Sequence, residues 1–403
     1  MHTRLAFPCG KLMLGAGLGL ALAAFAGCGG GGTSTCGTCG GGGGGTQPTV
    51  VATPTITMAA ALGGAQIVTL ADTTSGASIY FTVDGSAPSS SSTQYIAPFL
   101  VAANETLNVI ATATGDTASS VATQAFAPNI ASGTLVWSDE FSNTGTTNAL
   151  PSATNWTYDT GPNCCGNDEQ ENYCAAGSST SPCDPSNPNA FIGPSGTATA
   201  GLNIVAEQPT SGTYTSARMK TQGLFSFQYG RIEAMMKLPE EQGMWPAFWM
   251  LGNSISTINW PACGEADIME HIDGANTPFG GPAYPPAPGY DWIAGSTHGG
   301  TSSAEVSLGN DYPTSVANGF SAATWHTYGM IWSKGQIQYY VDSPSNVYAT
   351  DNTTNFPGTW PFDQGPMFLI LNLAVGGDWP GDVNSSTTFP ATMQVQYVKI
   401  YTN

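Results

Sequence analysis

Between Pro54 and Ala127, apolar and polar positions alternate in short runs. The clearest are Ala65-Gln-Ile-Val-Thr-Leu70, Ser78-Ile-Tyr-Phe-Thr-Val83 and Thr106-Leu-Asn-Val-Ile-Ala-Thr112. A period of two sends every second side chain to one face, which predicts strands. Asp84-Gly85 ends the second run with a turn. Strand-like runs recur after Pro128 in Tyr229-Gly-Arg-Ile-Glu-Ala-Met-Met-Lys-Leu238, Ile337-Gln-Tyr-Tyr-Val341, Met367-Phe-Leu-Ile-Leu-Asn-Leu-Ala-Val375 and Val395-Gln-Tyr-Val-Lys-Ile-Tyr401. Nowhere do apolar positions recur at the three-to-four spacing of an amphipathic helix. The chain reads as all-β. A small antiparallel sandwich over residues 53–128 precedes a large domain over 134–403 with enough strands for two packed sheets.

The N-terminus follows another pattern. Arg4 and Lys11 precede an apolar run from Leu12 to Ala26, closed by Phe25-Ala26-Gly27-Cys28. A charged start, a short apolar core and small residues before a cut describe a secretory signal over residues 1–28. The run is too short to span a bilayer comfortably. Its ending resembles a bacterial lipobox with Cys28 as the lipidated residue, although Phe25 stands where Leu is usual. Export is expected in either case, as an outer-membrane or cell-surface lipoprotein or as a secreted protein. Residues 29–52 are Gly-rich and cannot bury enough surface to fold, so they read as a tether. Cys36 and Cys39 within it lack a second pair or a His, which makes them a weak metal signal.

Charge narrows the range of partners. Eight Lys and Arg stand against 27 Asp and Glu, for a net charge of -19, and no basic residue occurs between residues 12 and 217. A basic patch for nucleic acid or acidic lipid is excluded.

The sharpest chemistry lies in Gly264-Glu-Ala-Asp-Ile-Met-Glu-His271. On a regular strand Glu265 and Asp267 share a face and Glu270 points the other way. A β-bulge at Ile268-Met269 would restore the parity and bring three acids to one cleft. Paired carboxylates flanking a glycosidic bond supply a nucleophile and a proton donor. Asp267 between them would push the two glutamates toward different protonation states. A calcium loop or a solvated acidic turn is the alternative, but the spacers here are Ala, Ile and Met rather than oxygen ligands. Trp245 and Trp249 fall on one strand face, and Trp260 closely precedes the acids. Indoles of this kind stack on the C–H faces of sugars, or simply pack in a core.

Four segments carry a family resemblance: Tyr229-Gly-Arg-Ile-Glu-Ala234, Gly243-Met-Trp-Pro-Ala-Phe-Trp-Met-Leu251, Trp260-Pro-Ala-Cys-Gly-Glu-Ala-Asp-Ile-Met-Glu270 and Leu371-Asn-Leu-Ala-Val-Gly-Gly-Asp-Trp-Pro-Gly381. In this order they resemble glycoside hydrolase family 16, and within it the bacterial laminarinases. The resemblance implies a β-jelly-roll with a concave cleft and a retaining endo-β-1,3-glucanase, with Glu265 as nucleophile, Glu270 as acid/base and Asp267 assisting. It further implies substrate contacts from Asn167, Glu169, Arg218, His298, Asn372 and Trp379, beside Trp245, Trp249 and Trp260. Mixed-linkage glucan, galactan, or sugar binding without catalysis are the alternatives. No cofactor is required, and a polysaccharide is the expected partner of a monomer that meets the membrane only through its lipid anchor. The segment Ala77-Ser-Ile-Tyr-Phe-Thr-Val-Asp-Gly-Ser-Ala-Pro88, followed by Tyr95 and Glu105-Thr-Leu-Asn-Val-Ile-Ala111, resembles the chitobiase/β-hexosaminidase C-terminal-type module. Without an aromatic platform, this module is expected to act as a spacer rather than as a sugar contact.

Two departures from the family pattern stand out. Its structural calcium would be held by Glu140 and an Asp of the last strand, but Gln396 takes the latter place, which leaves calcium an open expectation. The Pro-rich stretch from Gly274 to Gly295, with Tyr284 and Tyr290, is long and expected to wall one end of the cleft. Among the cysteines, Cys164 and Cys165 are expected each to reach Cys174 or Cys183. Cys263 reads as a small buried residue. His326 reads as a satisfied structural His.

Overall fold

The computed structural model describes residues 48–162, 165–272, 291–313 and 319–403. Cys28, residues 29–47 of the expected tether, Cys164 and most of the Pro-rich stretch, with Tyr284 and Tyr290, lie outside the described residues. The tether's expected end at residue 52 is corrected, since Val51 is buried in the core of the N-terminal module. Among the described residues there is no α-helix, only two short 3-10 turns between strands.

The large domain is a β-jelly-roll of an 11-stranded and a 7-stranded sheet. The smaller sheet carries the site. Its strands are β1 (Thr157–Asp159), β2 (Arg218–Lys220), β3 (Met244–Gly252), β4 (Glu265–Glu270), β5 (Ile293–Thr301), β6 (Ala304–Tyr312) and β7 (Met367–Val375). Their spatial order is β6-β5-β4-β3-β7-β2-β1. Both β3 and β7 are buried along their whole length, which explains why they read as nearly continuous apolar runs, with Asn372 the one polar side chain. Alternation still sorts their side chains. Met244, Phe248 and Met250 of β3, with Leu369, Leu371 and Leu373 of β7, fill the core between the sheets. Trp245, Ala247, Trp249 and Leu251, with Phe368, Ile370 and Ala374, belong to two smaller clusters on the other face. That face is the floor of the cleft.

The N-terminal module is a sandwich of a 3-stranded and a 4-stranded sheet around Val68, Phe81, Phe99, Leu107 and Val109. Residues 66–71, 78–82 and 105–112 are strands there, each within a residue of its predicted position. The module is fastened to the large domain: the Leu100 amide donates to the Ser226 carbonyl at 2.9 Å. The Ser226 hydroxyl donates to the Pro98 carbonyl at 2.9 Å, and Asn253, just past β3, donates to that hydroxyl at 2.9 Å. Thr93 donates to the Gln364 carbonyl at 3.1 Å.

Cys174 bridges Cys183, so the expectation that each would pair with Cys164 or Cys165 is corrected. The two partners are nine positions apart in sequence, and their Cα atoms lie 5.7 Å apart in a turn-rich segment, within bonding reach.

At the expected calcium position the residues do not suit a divalent cation. Lys399 brings its ammonium to 3.3 Å from the Glu140 carboxylate. The neighbouring Asp139 is occupied by hydrogen bonds from Asn155, Trp156 and the Phe141 amide, and Gln396 is exposed. A cation already sits beside the would-be ligand. Neither chelator nor added calcium is therefore expected to move the melting midpoint in calorimetry. Lys399→Ala should lower that midpoint by no more than about 2 °C, since a half-exposed ion pair is worth about 1 kcal/mol or less. A calcium-dependent rise in the native chain would overturn this.

Candidate active site

The bulge in β4 decides the geometry. Opposite β5, Asp267 pairs with Ser296 and Glu270 with Ala294, so three steps on β4 match two on its neighbour. Opposite β3 the register also slips, with Met269 facing Phe248 and Asp267 facing Trp249. Ala266, Ile268 and Met269 all enter the core. Burying two successive apolar residues flips the parity, and Glu265, Asp267 and Glu270 come to the cleft face together. The spacing of acids in the sequence pointed to this, and the structure contains it.

An indole N–H holds each glutamate. Trp260 Nε1 donates to Glu265 Oε2 at 3.1 Å, and Trp245 Nε1 donates to Glu270 Oε1 at 2.9 Å. Trp249 Nε1 donates instead to Asn372 Oδ1 at 2.7 Å, while the Arg218 guanidinium lies over its ring at 4.6 Å. Trp245 and Trp249 are only 8% exposed, so their contribution to the cleft is N–H donors rather than open ring faces. Half-buried Trp260 and Trp379 are the more open indoles. Trp379 meets Trp245 and Trp292 edge to face, with centroids 5.4 and 5.8 Å apart.

Asp267 is the most enclosed of the three acids. It accepts from the Ser296 hydroxyl at 2.5 Å and lies 3.0 Å from His298 Nε2. The same Nε2 is 4.0 Å from Glu265, and the other ring nitrogen meets Glu305 at 2.7 Å. Burial, and then the charge of Asp267, push Glu265 up to about 8, against the pull of His298 and Arg218. The hydrogen bond from Trp260 is worth about 1.5–3 kcal/mol to the carboxylate. Removing a carboxylate from water costs several, so the upward shift wins. His298 is pushed well above the ordinary imidazole range: its hydrogen bonds to Asp267 and Glu305 outweigh burial.

Farther along the cleft the expected polar residues form one chain. Asn167 donates to Glu169 at 3.3 Å, Tyr173 donates to Glu169 at 3.0 Å, and Asn372 donates to Tyr173 at 3.3 Å. Asn172 separates Tyr173 from buried Glu171, whose carboxyl is pushed well above the usual range by burial and by Glu169. Arg218 pairs with Asp159 at 3.0 Å, and Lys220 pairs with the same carboxylate.

All nine substrate residues expected from the sequence lie on or beside this face. Tyr173, Trp292, Ser296 and Glu305 were missed. Trp292 and Tyr173 resemble any core aromatic in sequence, and only strand pairing reveals what they touch. Ser296 could have been found, since it lies two residues before His298 and so on the same face. His326 is a satisfied structural His, bonded to Asp342 at 2.9 Å and Thr324 at 3.0 Å.

A β-sheet face that carries paired glutamates and flanking indoles has the groups of a glycoside hydrolase. Residues 193–399 match the profile of Glycosyl hydrolases family 16, and the chain belongs to that family. Residues 59–123 match the Chitobiase/beta-hexosaminidase C-terminal domain. The chain is 34% identical over 278 residues to a beta-glucanase of Rhodothermus marinus, covering 66% of this chain and 84% of that protein. It is 31% identical over 294 residues to glucan endo-1,3-beta-glucosidase A1 of Niallia circulans, covering 68% of this chain but only 38% of the relative. Among solved structures, the catalytic domain of an endo-1,3-beta-glucanase (laminarinase) from Thermotoga petrophila superposes with a TM-score of 0.52 at 31% identity. That match covers 67% of this chain and 98% of the other.

Proposed function

We propose that the chain cleaves β-1,3-glucan internally, with retention of anomeric configuration. The observation that carries this reading is the bulge, which gathers Glu265, Asp267 and Glu270 on one face with each glutamate held by its own indole. Glu265 attacks the anomeric carbon as the glycosidic C–O bond breaks, and Glu270 gives its proton to the departing oxygen. Water then attacks the glycosyl ester, Glu270 takes the water's proton, and Glu265 leaves as a carboxylate. His298 Nε2 lies 4.0 Å from Glu265 and is itself oriented by Asp267 at 3.0 Å.

A neutral substrate agrees with the cations described around the cleft, because Arg218 and Lys220 are both engaged by Asp159. Similarity to proteins named glucan endo-1,3-beta-glucosidase and endo-1,3-beta-glucanase supports the β-1,3 linkage. A panel of laminarin, mixed-linkage glucan and galactan, with products resolved by chromatography, tests it. Laminarin is expected to be cut fastest, with intermediate oligomers appearing early. Faster cleavage of either other polymer, or release of one small product alone, would overturn the linkage or the internal action.

A further inference from the structure

His298 has a carboxylate at each ring nitrogen. Nε2 lies 3.0 Å from Asp267 Oδ2, and Nδ1 lies 2.7 Å from Glu305 Oε1. Ionised carboxylates only accept hydrogen bonds, so a ring placed between two of them must carry both protons. The ring is also enclosed, with its side chain 7% exposed and that of Glu305 14%. A buried charge without a partner is costly, and a second carboxylate is what keeps this one.

We propose that Glu305 is a positioning residue that holds His298 as an imidazolium, and that this cation sets the pH range in which Glu265 is ionised and able to attack. The groups that face the ring can be named strand by strand. Asp267 and Glu265 reach it from β4, Glu305 from β6, and the Ser296 hydroxyl from β5 itself at 3.1 Å. Thr297 points to the other side of β5, where it bonds Asp351. Glu270 and Arg218 act on Glu265 rather than on the ring. Loss of the Glu305 charge would let His298 shed its Nδ1 or Nε2 proton. If Nε2 lost it, a lone pair would then face the Asp267 carboxylate, and Glu265 would lose the positive charge 4.0 Å away. Both changes hold Glu265 protonated to higher pH.

The proposal rests on the reading of Glu265 as nucleophile, and the test separates the two. In Glu305→Gln the acid limb of the kcat/KM profile should move up by about one pH unit, roughly a tenfold loss on that limb, and converge with wild type in alkali. His298→Gln should move the limb the same way, and adding Glu305→Gln to it should move it no further. A merely structural role would lower the whole profile without shifting it, and that result would overturn the proposal. Imidazole NMR on the unaltered protein needs no activity. The chain has four His, and the His298 signal, assigned by its loss in His298→Gln, should titrate well above the ordinary range. An ordinary His298 midpoint sinks the proposal even if the enzyme is active. A high midpoint without glucan cleavage sinks the nucleophile reading alone. Should Glu305→Gln not fold, Glu305→Asp, with its shorter reach, should lower the same midpoint.

Discussion

Glu265→Gln should reduce laminarin turnover by about 10⁴-fold or more, because the amide cannot form or release a glycosyl ester. The fold should survive. The folded-state pKa of Glu265, about 8, lies above its ordinary value of 4.5, so this group favours folding at low pH and loses that contribution as pH rises between the two. At pH above 8 the buried charge is a full cost to the native state. A neutral amide of the same size should therefore melt at the same temperature or higher, most visibly in alkali. Reducing-sugar assays and calorimetry on one preparation check both outcomes. Turnover within tenfold of wild type would remove Glu265 from the nucleophile role. A collapsed melting midpoint would instead assign the loss to unfolding.

Glu270→Gln should cost about 10²–10⁴-fold on laminarin, the usual value of a positioned proton donor. Its signature is dependence on the leaving group. An aryl glycoside with a nitrophenolate leaving group needs no protonation, so formation of the glycosyl ester should be nearly unimpaired and only its hydrolysis slow. A burst of nitrophenolate is then expected from Glu270→Gln and none from Glu265→Gln. Binding of laminarin should persist in both variants, because Trp260 and Trp379 are untouched. The absence of a burst, with equal losses on both substrates, would count against Glu270 as the acid/base. If Glu270→Gln released reducing sugar at the native rate, the chain would not be using this site for catalysis at all.

Much of the architecture was legible in the sequence, for reasons that differ by element. Strand Met367–Val375 was found to the residue, because a strand buried on both faces shows as an apolar run, broken here only by Asn372. The final strand begins at Ala391, four residues before its predicted start: Ala-Thr-Met-Gln already alternates apolar and polar, and it pairs with residues 203–206. The cysteine pairing also went wrong. Adjacency argued against Cys164 bonding Cys165, but only the turn between Cys174 and Cys183 shows that these two already meet. The roles of the tryptophans were also beyond sequence. Spacing put Trp245 and Trp249 on one face, but whether an indole offers its ring or its N–H depends on what covers it. Arg218, 31 positions earlier, covers Trp249.

The sequence by itself determined that this chain is all-β, excluded a basic surface for nucleic acid, and singled out Glu265, Asp267 and Glu270 as the candidate acids. Period-two patterning, a scarcity of cations and the grouping of acids in an apolar strand are all local properties, readable in order along the chain. Only the tertiary structure decided which donors hold each acid. Trp245 meets Glu270 across 25 positions, and Tyr173 meets Asn372 across 199. Such contacts depend on the order and register of strands in the sheet, which follow from packing the whole core. Lys399 beside Glu140 and Glu305 beside His298 belong to the same class. Each puts a charge where a neighbouring strand needs one, and no pattern along the chain announces it.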